Sequence, residues 1–208
     1  MDITHTARNI DFEFYWEQKC QQEGTKEEGR AGSKETRQSS ALKNVKKEQH
    51  GNSYKQAYLE IYVQRLLEQF NSEGATDDLK KKLDACRYEI FSLTVTQLQH
   101  LDVQVVFDYL PNLAFLTLTY GAKHVGMAYE RPLFGMKMSD AKIFKECLRK
   151  TQSLCYLSLP GNLIDDDLIS ILIKGLMLNK TISQLDLSHN KILVYKKHVK
   201  ALEQTIGT

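Results

Sequence analysis

Residues 154–164 read LCYLSLPGNLI, and residues 182–192 read ISQLDLSHNKI. The aliphatic positions and the asparagine of the first segment recur at an interval of 28 residues in the second. Self-similarity at a fixed period is the signature of proteins that stack one structural unit on the next. The pattern therefore predicts a repeat architecture. The same interval relates three upstream apolar pairs, which are Met136 and Ile164, Ile143 and Ile171, and Leu148 and Leu176.

Two earlier segments carry weaker copies of the pattern. Residues 113–118 read LAFLTL, and residues 90–95 read IFSLTV. Alternating aliphatic residues are typical of a short strand that points them into a core, and the asparagine can bond backbone groups that leave the strand. A period of about 28 residues leaves room for a returning helix, as in ribonuclease-inhibitor-like leucine-rich repeats. The predicted fold class is α/β, a leucine-rich-repeat solenoid of short parallel strands and helices.

Composition predicts three regions. Residues 21–53 contain four apolar residues, too few to offset the chain entropy lost on folding, so residues 1–53 are predicted to form an extended or disordered arm. Residues 54–89 are predicted to form a helical cap, with a free groove-binding helix as the alternative. Residues 90–208 form the predicted leucine-rich-repeat domain. The helical stripes are Leu59, Tyr62, Val63, Leu66, Leu67 and Phe70, followed by Leu79, Leu83 and Cys86.

Two aromatic segments outside the repeat pattern are candidate contact sites. The arm carries Phe12, Phe14 and Trp16, an exposed cluster that is expected to dock on another subunit or on the repeats. The third strand position follows the second by 41 residues instead of 28, and the surplus lies in residues 120–134. Such an insertion either packs over its own strand edge or contacts another subunit. Its aromatic residues are Tyr120, Tyr129 and Phe134.

The residues between the core leucines are predicted to form an exposed surface on the strands. Aromatic side chains beside small polar ones are a normal composition for a protein-binding surface, although Thr is also a common strand former. The candidate partner-binding residues here are Phe115, Tyr156, Gln184 and Asp186. Equivalent positions on the four strands are predicted to lie side by side, and we call each such row across the strands a column. One predicted column contains Ser92, Phe115, Tyr156 and Gln184, and the next contains Thr94, Thr117, Ser158 and Asp186.

The sequence contains no recognisable motif for catalysis, a cofactor or a metal. Gly24 and Gly29 have the first spacing of a phosphate-binding loop, but Arg30 stands where its lysine is required. The aspartates at 165–167 are predicted to begin a helix, because consecutive helical residues do not face one point. Residues 186–189 contain Asp, Ser and His within one turn, which predicts turn chemistry. The chain is therefore predicted not to be an enzyme, and no cofactor or small-molecule substrate is expected.

Composition also excludes several partner classes. The chain has 28 Lys and Arg against 26 Asp and Glu, so no basic footprint for nucleic acid is present. No apolar run exceeds four residues, far short of the ~20 that a membrane span needs, and no signal peptide is recognisable. We therefore expect a cytoplasmic protein with no membrane partner. In that reducing compartment, Cys86, Cys147 and Cys155 are predicted to be small core residues.

Residues 110–121 (LPNLAFLTLTYG) and 133–136 (LFGM), with Asp140 and Ala141, resemble the dynein regulatory complex subunit 5 family. The resemblance extends over about residues 76–192. It implies a leucine-rich-repeat protein of the nexin link in the axoneme of cilia and flagella, a cytoskeletal location. It implies as partners the other subunits of the dynein regulatory complex and axonemal microtubule-associated proteins, and it implies no catalysis.

The predicted function is thus a non-catalytic scaffold that helps to regulate dynein-driven motility through protein–protein contacts. The alternative is a soluble leucine-rich-repeat inhibitor or adaptor of an enzyme, because one fold hosts several functions.

Overall fold

The computed structural model describes residues 53–69, 77–98, 102–122 and 133–193. The predicted arm, residues 1–53, lies outside the described residues except for Ser53, and the predicted region boundaries remain predictions. The helices are α1 (Tyr54–Gln69), α2 (Asp77–Ala85), α3 (Val103–Tyr109), α4 (Met138–Lys150) and α5 (Asp166–Leu176). The strands are β1 (Ser92–Leu98), β2 (Phe115–Tyr120), β3 (Tyr156–Ser158) and β4 (Gln184–Asp186).

The chain divides into two compact units, Met1–Tyr62 and Val63–Thr208. In the first unit, the rings of Tyr58 and Tyr62 stack along one side of α1 with centroids 6.4 Å apart. Tyr62 is 36% exposed, so its predicted place in the buried stripe is wrong. Because residues four apart share a helix face, the ring lies over that of Tyr58 instead. The buried apolar residues of α1 in the second unit are Val63 and Leu67, as the stripe predicts.

The four strands form one parallel sheet in the order β1-β2-β3-β4. β3 pairs with β4 so that Leu157 lies opposite Leu185, which is the 28-residue interval of the sequence repeat. β2 pairs with β3 through Leu116 and Leu157, and β1 pairs with β2 through Leu93 and Leu116. The α/β class and the four predicted strand positions are therefore confirmed.

The aliphatic positions of the first three copies form the core beneath this sheet. Each of their side chains is at most 2% exposed: Ile90, Leu93, Val95, Leu113, Leu116, Leu118, Leu154, Leu157 and Leu159. In the fourth copy, Leu185 and Leu187 are only half-buried. Leu185 is therefore less interior than the repeat pattern predicts, because β4 is paired on one side only among the described strands.

The asparagines of the pattern bond the backbone where strands end. Asn162 is fully buried, and its Nδ2 donates to the carbonyl oxygen of Leu118 at 2.7 Å. Its Oδ1 accepts from the backbone N–H of Tyr120, also at 2.7 Å. Asn190 likewise bonds the preceding repeat: its Nδ2 donates to the Leu159 carbonyl oxygen at 2.8 Å, and its Oδ1 accepts from the N–H of Ile164 at 3.0 Å. Since buried backbone groups need partners, the predicted role of this asparagine is confirmed.

Aspartate side chains begin three of the helices. Asp102, Asp140 and Asp165 each accept a backbone N–H bond of 2.8–3.0 Å at the start of α3, α4 and α5. These bonds satisfy N–H groups that the helix leaves unpaired, and they place negative charge at the positive end of the helix dipole. The predicted capping role of residues 165–167 is confirmed at Asp165. None of the described helices has the length and apolarity to cross a membrane.

Gly175 lies where α5 approaches α4 most closely. A Cβ atom at this position would lie 2.5 Å from the carbonyl oxygen of Lys145 and 3.0 Å from its Cα. Because both are backbone atoms, the helices would have to separate. Overpacking costs about 1–3 kcal/mol, and the gain in helix propensity offsets ~1 kcal/mol of it, so we expect Gly175→Ala to lower the free energy of unfolding by about 1–2 kcal/mol.

Urea unfolding checks this expectation. The matched control is Lys174→Ala, an exposed position on the same helix that should change the free energy of unfolding by less than about 0.5 kcal/mol. A Gly175→Ala protein that is more stable than the parent would contradict the close approach of the two helices.

Candidate interaction surface

We define the strand face as the strand side chains that alternate with the buried leucines. β1 pairs with β2, and β2 with β3, at the two positions predicted for the columns, and β3 pairs with β4 in the same way. Both predicted columns are therefore confirmed in register. The strand face comprises Ser92, Thr94 and Thr96 of β1, Phe115, Thr117 and Thr119 of β2, Tyr156 and Ser158 of β3, and Gln184 and Asp186 of β4.

An aromatic pair lies at the centre of the first column. Phe115 and Tyr156 are opposite each other in register, and their ring centroids are 6.2 Å apart at an interplanar angle of 36°. Phe115 is 51% exposed, although phenylalanine is among the residues most often buried. Exposed aromatic rings held on a strand have little conformational freedom left to lose, so they favour binding of a partner.

Asp186 is the charged residue of the strand face. Its Oδ1 accepts from the backbone N–H of Ser188 at 2.9 Å, and its Oδ2 accepts from the hydroxyl of Ser158 at 2.8 Å. The Ser188 bond, then the Ser158 bond, hold the pKa of the Asp186 carboxyl below its usual range, and nearby His189 adds to the effect. The carboxylate is therefore ionised at neutral pH and fixed in position. Its bond to the Ser188 backbone belongs to the turn, as the sequence predicted.

Ser158 is the exception in the second column, because it is only 3% exposed. The expectation that every residue of this column is exposed is wrong here. Its short side chain lies between Thr117 and Asp186 in the paired strands, and its hydroxyl is bonded to the Asp186 carboxylate. Ser158 thus orients the charge.

Two exposed aromatic residues beside the strand face were missed by sequence reasoning. Phe91 is 46% exposed and Tyr88 is 65% exposed. The carbonyl oxygen of Phe91 accepts from the N–H of Phe115 at 2.9 Å, so these two backbones are adjacent. The side chain of Asn112 likewise donates to the Tyr88 carbonyl at 3.0 Å. Phe91 directly precedes Ser92 within the 90–95 copy of the pattern, so considering every position of that copy would have found it.

Two known proteins are similar in sequence to this chain. Dynein regulatory complex subunit 5 of Chlamydomonas reinhardtii is 39% identical over 60% of this chain and 33% of its own length. The mouse protein of the same name is 26% identical over 92% of this chain and 41% of its own length. The chain resembles dynein regulatory complex subunit 5. It spans about a third to two fifths of the length of these relatives, and no known family model matches it.

Several of the residues that carry the resemblance to dynein regulatory complex subunit 5 lie outside the strand face and hold the backbone in place. Gly135 has a φ of +80°, and a Cβ there would lie 2.8 Å from the carbonyl oxygen of Asn162. The next residue, Met136, donates its N–H to that same oxygen at 2.8 Å. Asp140 begins α4. This part of the resemblance therefore reflects how one repeat is joined to the next.

Of the predicted contact residues outside the strand face, the structure describes Tyr120 and Phe134. Tyr120 is 5% exposed, because it continues the inward alternation of Leu116 and Leu118, and it is therefore a core residue instead of a contact residue. Burial raises the pKa of its phenol far above the usual range. Phe134 is half-buried. The remaining predicted residues, Phe12, Phe14, Trp16 and Tyr129, lie outside the described residues.

The described cysteines correct one further expectation. Cys86 and Cys147 are buried, as predicted, and burial raises the pKa of the Cys147 thiol to about 12. Cys155 is exposed, so its predicted core position is wrong. It directly follows the inward-pointing Leu154, and its thiol donates to the Ser153 carbonyl at 3.4 Å.

An open groove lies between α3 and α4. This open groove has a volume of about 350 Å³, and its walls carry Asp108 and Glu146 together with Lys150. The described residues contain no cluster of three or more His, Cys, Asp or Glu side chains that could hold a metal. The strand face, with its aligned aromatic pair and fixed carboxylate, is therefore the candidate site.

Proposed function

We propose that this chain is a leucine-rich-repeat solenoid that acts as a non-catalytic scaffold in the dynein regulatory complex of the axoneme. Its partners are other subunits of that complex, and axonemal microtubule-associated proteins are further candidates. Its place is the cytoskeleton of cilia and flagella, where it helps to regulate dynein-driven motility. The similarity to dynein regulatory complex subunit 5 supports the assembly, and the pair formed by the exposed Phe115 and the half-buried Tyr156 carries the assignment of the contact surface.

The geometry favours a scaffold because the contact residues lie on regular strands. The paired residues of β2, β3 and β4 are in register with one another, and the buried side chain of Asn162 bonds the end of β2. A surface held in this way binds without first becoming ordered, which reduces the entropic cost of association. Its aromatic centre and small polar surroundings have the composition of an interface core and rim.

We expect the double variant Phe115→Ala with Tyr156→Ala to reduce incorporation into axonemes at least tenfold. Aromatic residues at the centre of an interface commonly contribute 2 kcal/mol or more to binding, which corresponds to about thirtyfold in affinity. The full chain would replace the endogenous copy in ciliated cells. Immunoblots of isolated axonemes, calibrated with purified protein, measure the bound fraction.

Met177→Ala is the matched control, because Met177 is a 59% exposed apolar residue at the end of α5, outside the strand face. It should incorporate like the parent. Normal incorporation of the double variant would contradict the strand face as the contact surface. A parent chain that stays in the soluble fraction and binds an enzyme there would support the inhibitor or adaptor instead.

A further inference from the structure

The charge of the strand face differs from that of the whole chain. The chain has 28 Lys and Arg, yet none of the ten strand-face residues is basic, and Asp186 is their one charged member. At the opposite edge, the carboxylate of Glu68 accepts from the N–H and the hydroxyl of Thr96 at 3.3 and 3.2 Å. Carboxylates therefore border this surface on the sides of both β4 and β1.

The aromatic pair and the carboxylate are close enough to serve one ligand segment. Tyr156 is paired with Gln184, and Asp186 lies two residues further along β4. Such diagonal neighbours on adjacent strands are roughly 7–8 Å apart. Side chains one turn apart on a helix, or alternate side chains of an extended segment, have about this spacing.

We infer that the strand face binds a protein segment that presents an arginine or lysine to Asp186 and an apolar side chain to Phe115 and Tyr156. This inference names the partner chemistry of the surface in the proposed function and rests on it. The Asp186 carboxylate is held by its bonds to Ser158 and Ser188, so it is oriented before the partner arrives. An arginine satisfies the remaining acceptor positions of this carboxylate, and its planar guanidinium can also stack on the Tyr156 ring.

The test begins with selection of random 12-residue peptides, displayed on phage, against the full chain. Enriched sequences should combine a basic residue with an aromatic or large aliphatic residue two to four positions away. A synthetic consensus peptide is then titrated by fluorescence anisotropy, and its affinity should fall as salt is raised. Asp186→Asn should weaken binding about three- to tenfold, and Phe115→Ala at least tenfold.

The control is Asp108→Asn, which removes the same charge from an exposed position on α3 and should leave the affinity within twofold of the parent. If Asp186→Asn melts at a lower temperature than this control, Gln184→Lys replaces it, because Gln184 is exposed and adjacent to the carboxylate. A charge-reversed pair, Asp186→Lys with glutamate in place of the peptide's basic residue, should recover most of the lost affinity.

Enrichment of peptides without basic residues, or binding that is indifferent to both Asp186→Asn and Gln184→Lys, would overturn the inference. Incorporation of the variants into axonemes tests the proposed function separately from peptide binding. If the aromatic double variant fails to enter axonemes while Asp186→Asn enters normally, the contact surface stands and the basic partner is wrong. If peptide binding depends on Asp186 but the double variant enters axonemes normally, the proposed function is wrong and the basic-segment preference stands.

Discussion

Asn162→Ala is expected to lower the free energy of unfolding by about 3–5 kcal/mol. The side chain is fully buried and makes two 2.7 Å bonds to backbone groups of β2, the carbonyl of Leu118 and the N–H of Tyr120. Alanine would leave both groups buried without partners, at a cost of roughly 1–3 kcal/mol each, and would open a small cavity. Equilibrium urea unfolding of the full chain measures the change.

The corresponding asparagine of the next repeat provides the comparison. Asn190 is half-buried and makes equivalent bonds, so water can replace part of what alanine removes. Asn190→Ala should therefore cost about 1–2 kcal/mol. An Asn162→Ala loss no larger than that of Asn190→Ala would show that the first asparagine is not the buried bridge between repeats.

Leu157→Ala is expected to lower the free energy of unfolding by about 3–5 kcal/mol. Leu157 is fully buried in β3 and has a leucine opposite it on each side, Leu116 in β2 and Leu185 in β4. Truncation removes apolar surface from the core and leaves a cavity between two paired strands that can close only partly. Urea unfolding again reports the change, and the midpoint should move while the slope stays constant.

Leu185→Ala removes the same atoms from the equivalent position one repeat later. Because Leu185 is half-buried, its expected cost is about 1–2.5 kcal/mol. The difference between the two variants measures how much more interior β3 is than β4. Equal costs would mean that the side of β4 away from β3 is as tightly packed as the interior of the sheet.

Most of the sheet could be predicted because its pattern is local and repeated. Each copy places aliphatic residues at alternate positions of a strand, and parallel strands that carry the same pattern align like with like. The pairings of Leu93, Leu116, Leu157 and Leu185 follow from that rule alone. The 41-residue interval did not disturb the pairing of Leu116 with Leu157, because the surplus falls in the sequence between the two copies of the pattern.

The sequence predicted which residues form the strand face, but it predicted less well which aromatic side chains are exposed. Phe115, Tyr156, Gln184 and Asp186 occupy the strand face in the predicted register. Tyr88 was missed because it lies before the first copy of the pattern, and Phe91 was missed because it occupies a position of that copy, between Ile90 and Ser92, that the columns did not include. Tyr120 was assigned to the insertion, yet it continues the inward alternation of β2 and is buried.

The sequence alone determined the repeat interval, the strand positions, the side to which each leucine points and the aspartate that begins α5, because these depend on spacing within one repeat. Tertiary structure decided which of the equivalent residues are covered. Leu185 is less buried than Leu157, and Ser158 is more buried than the other residues of its column. The physical reason is that exposure depends on the neighbouring strands and helices, which belong to other repeats. Likewise, the space at Gly175 is limited by Lys145, thirty residues earlier in the chain: a Cβ atom added to Gly175 would lie 2.5 Å from the Lys145 carbonyl oxygen.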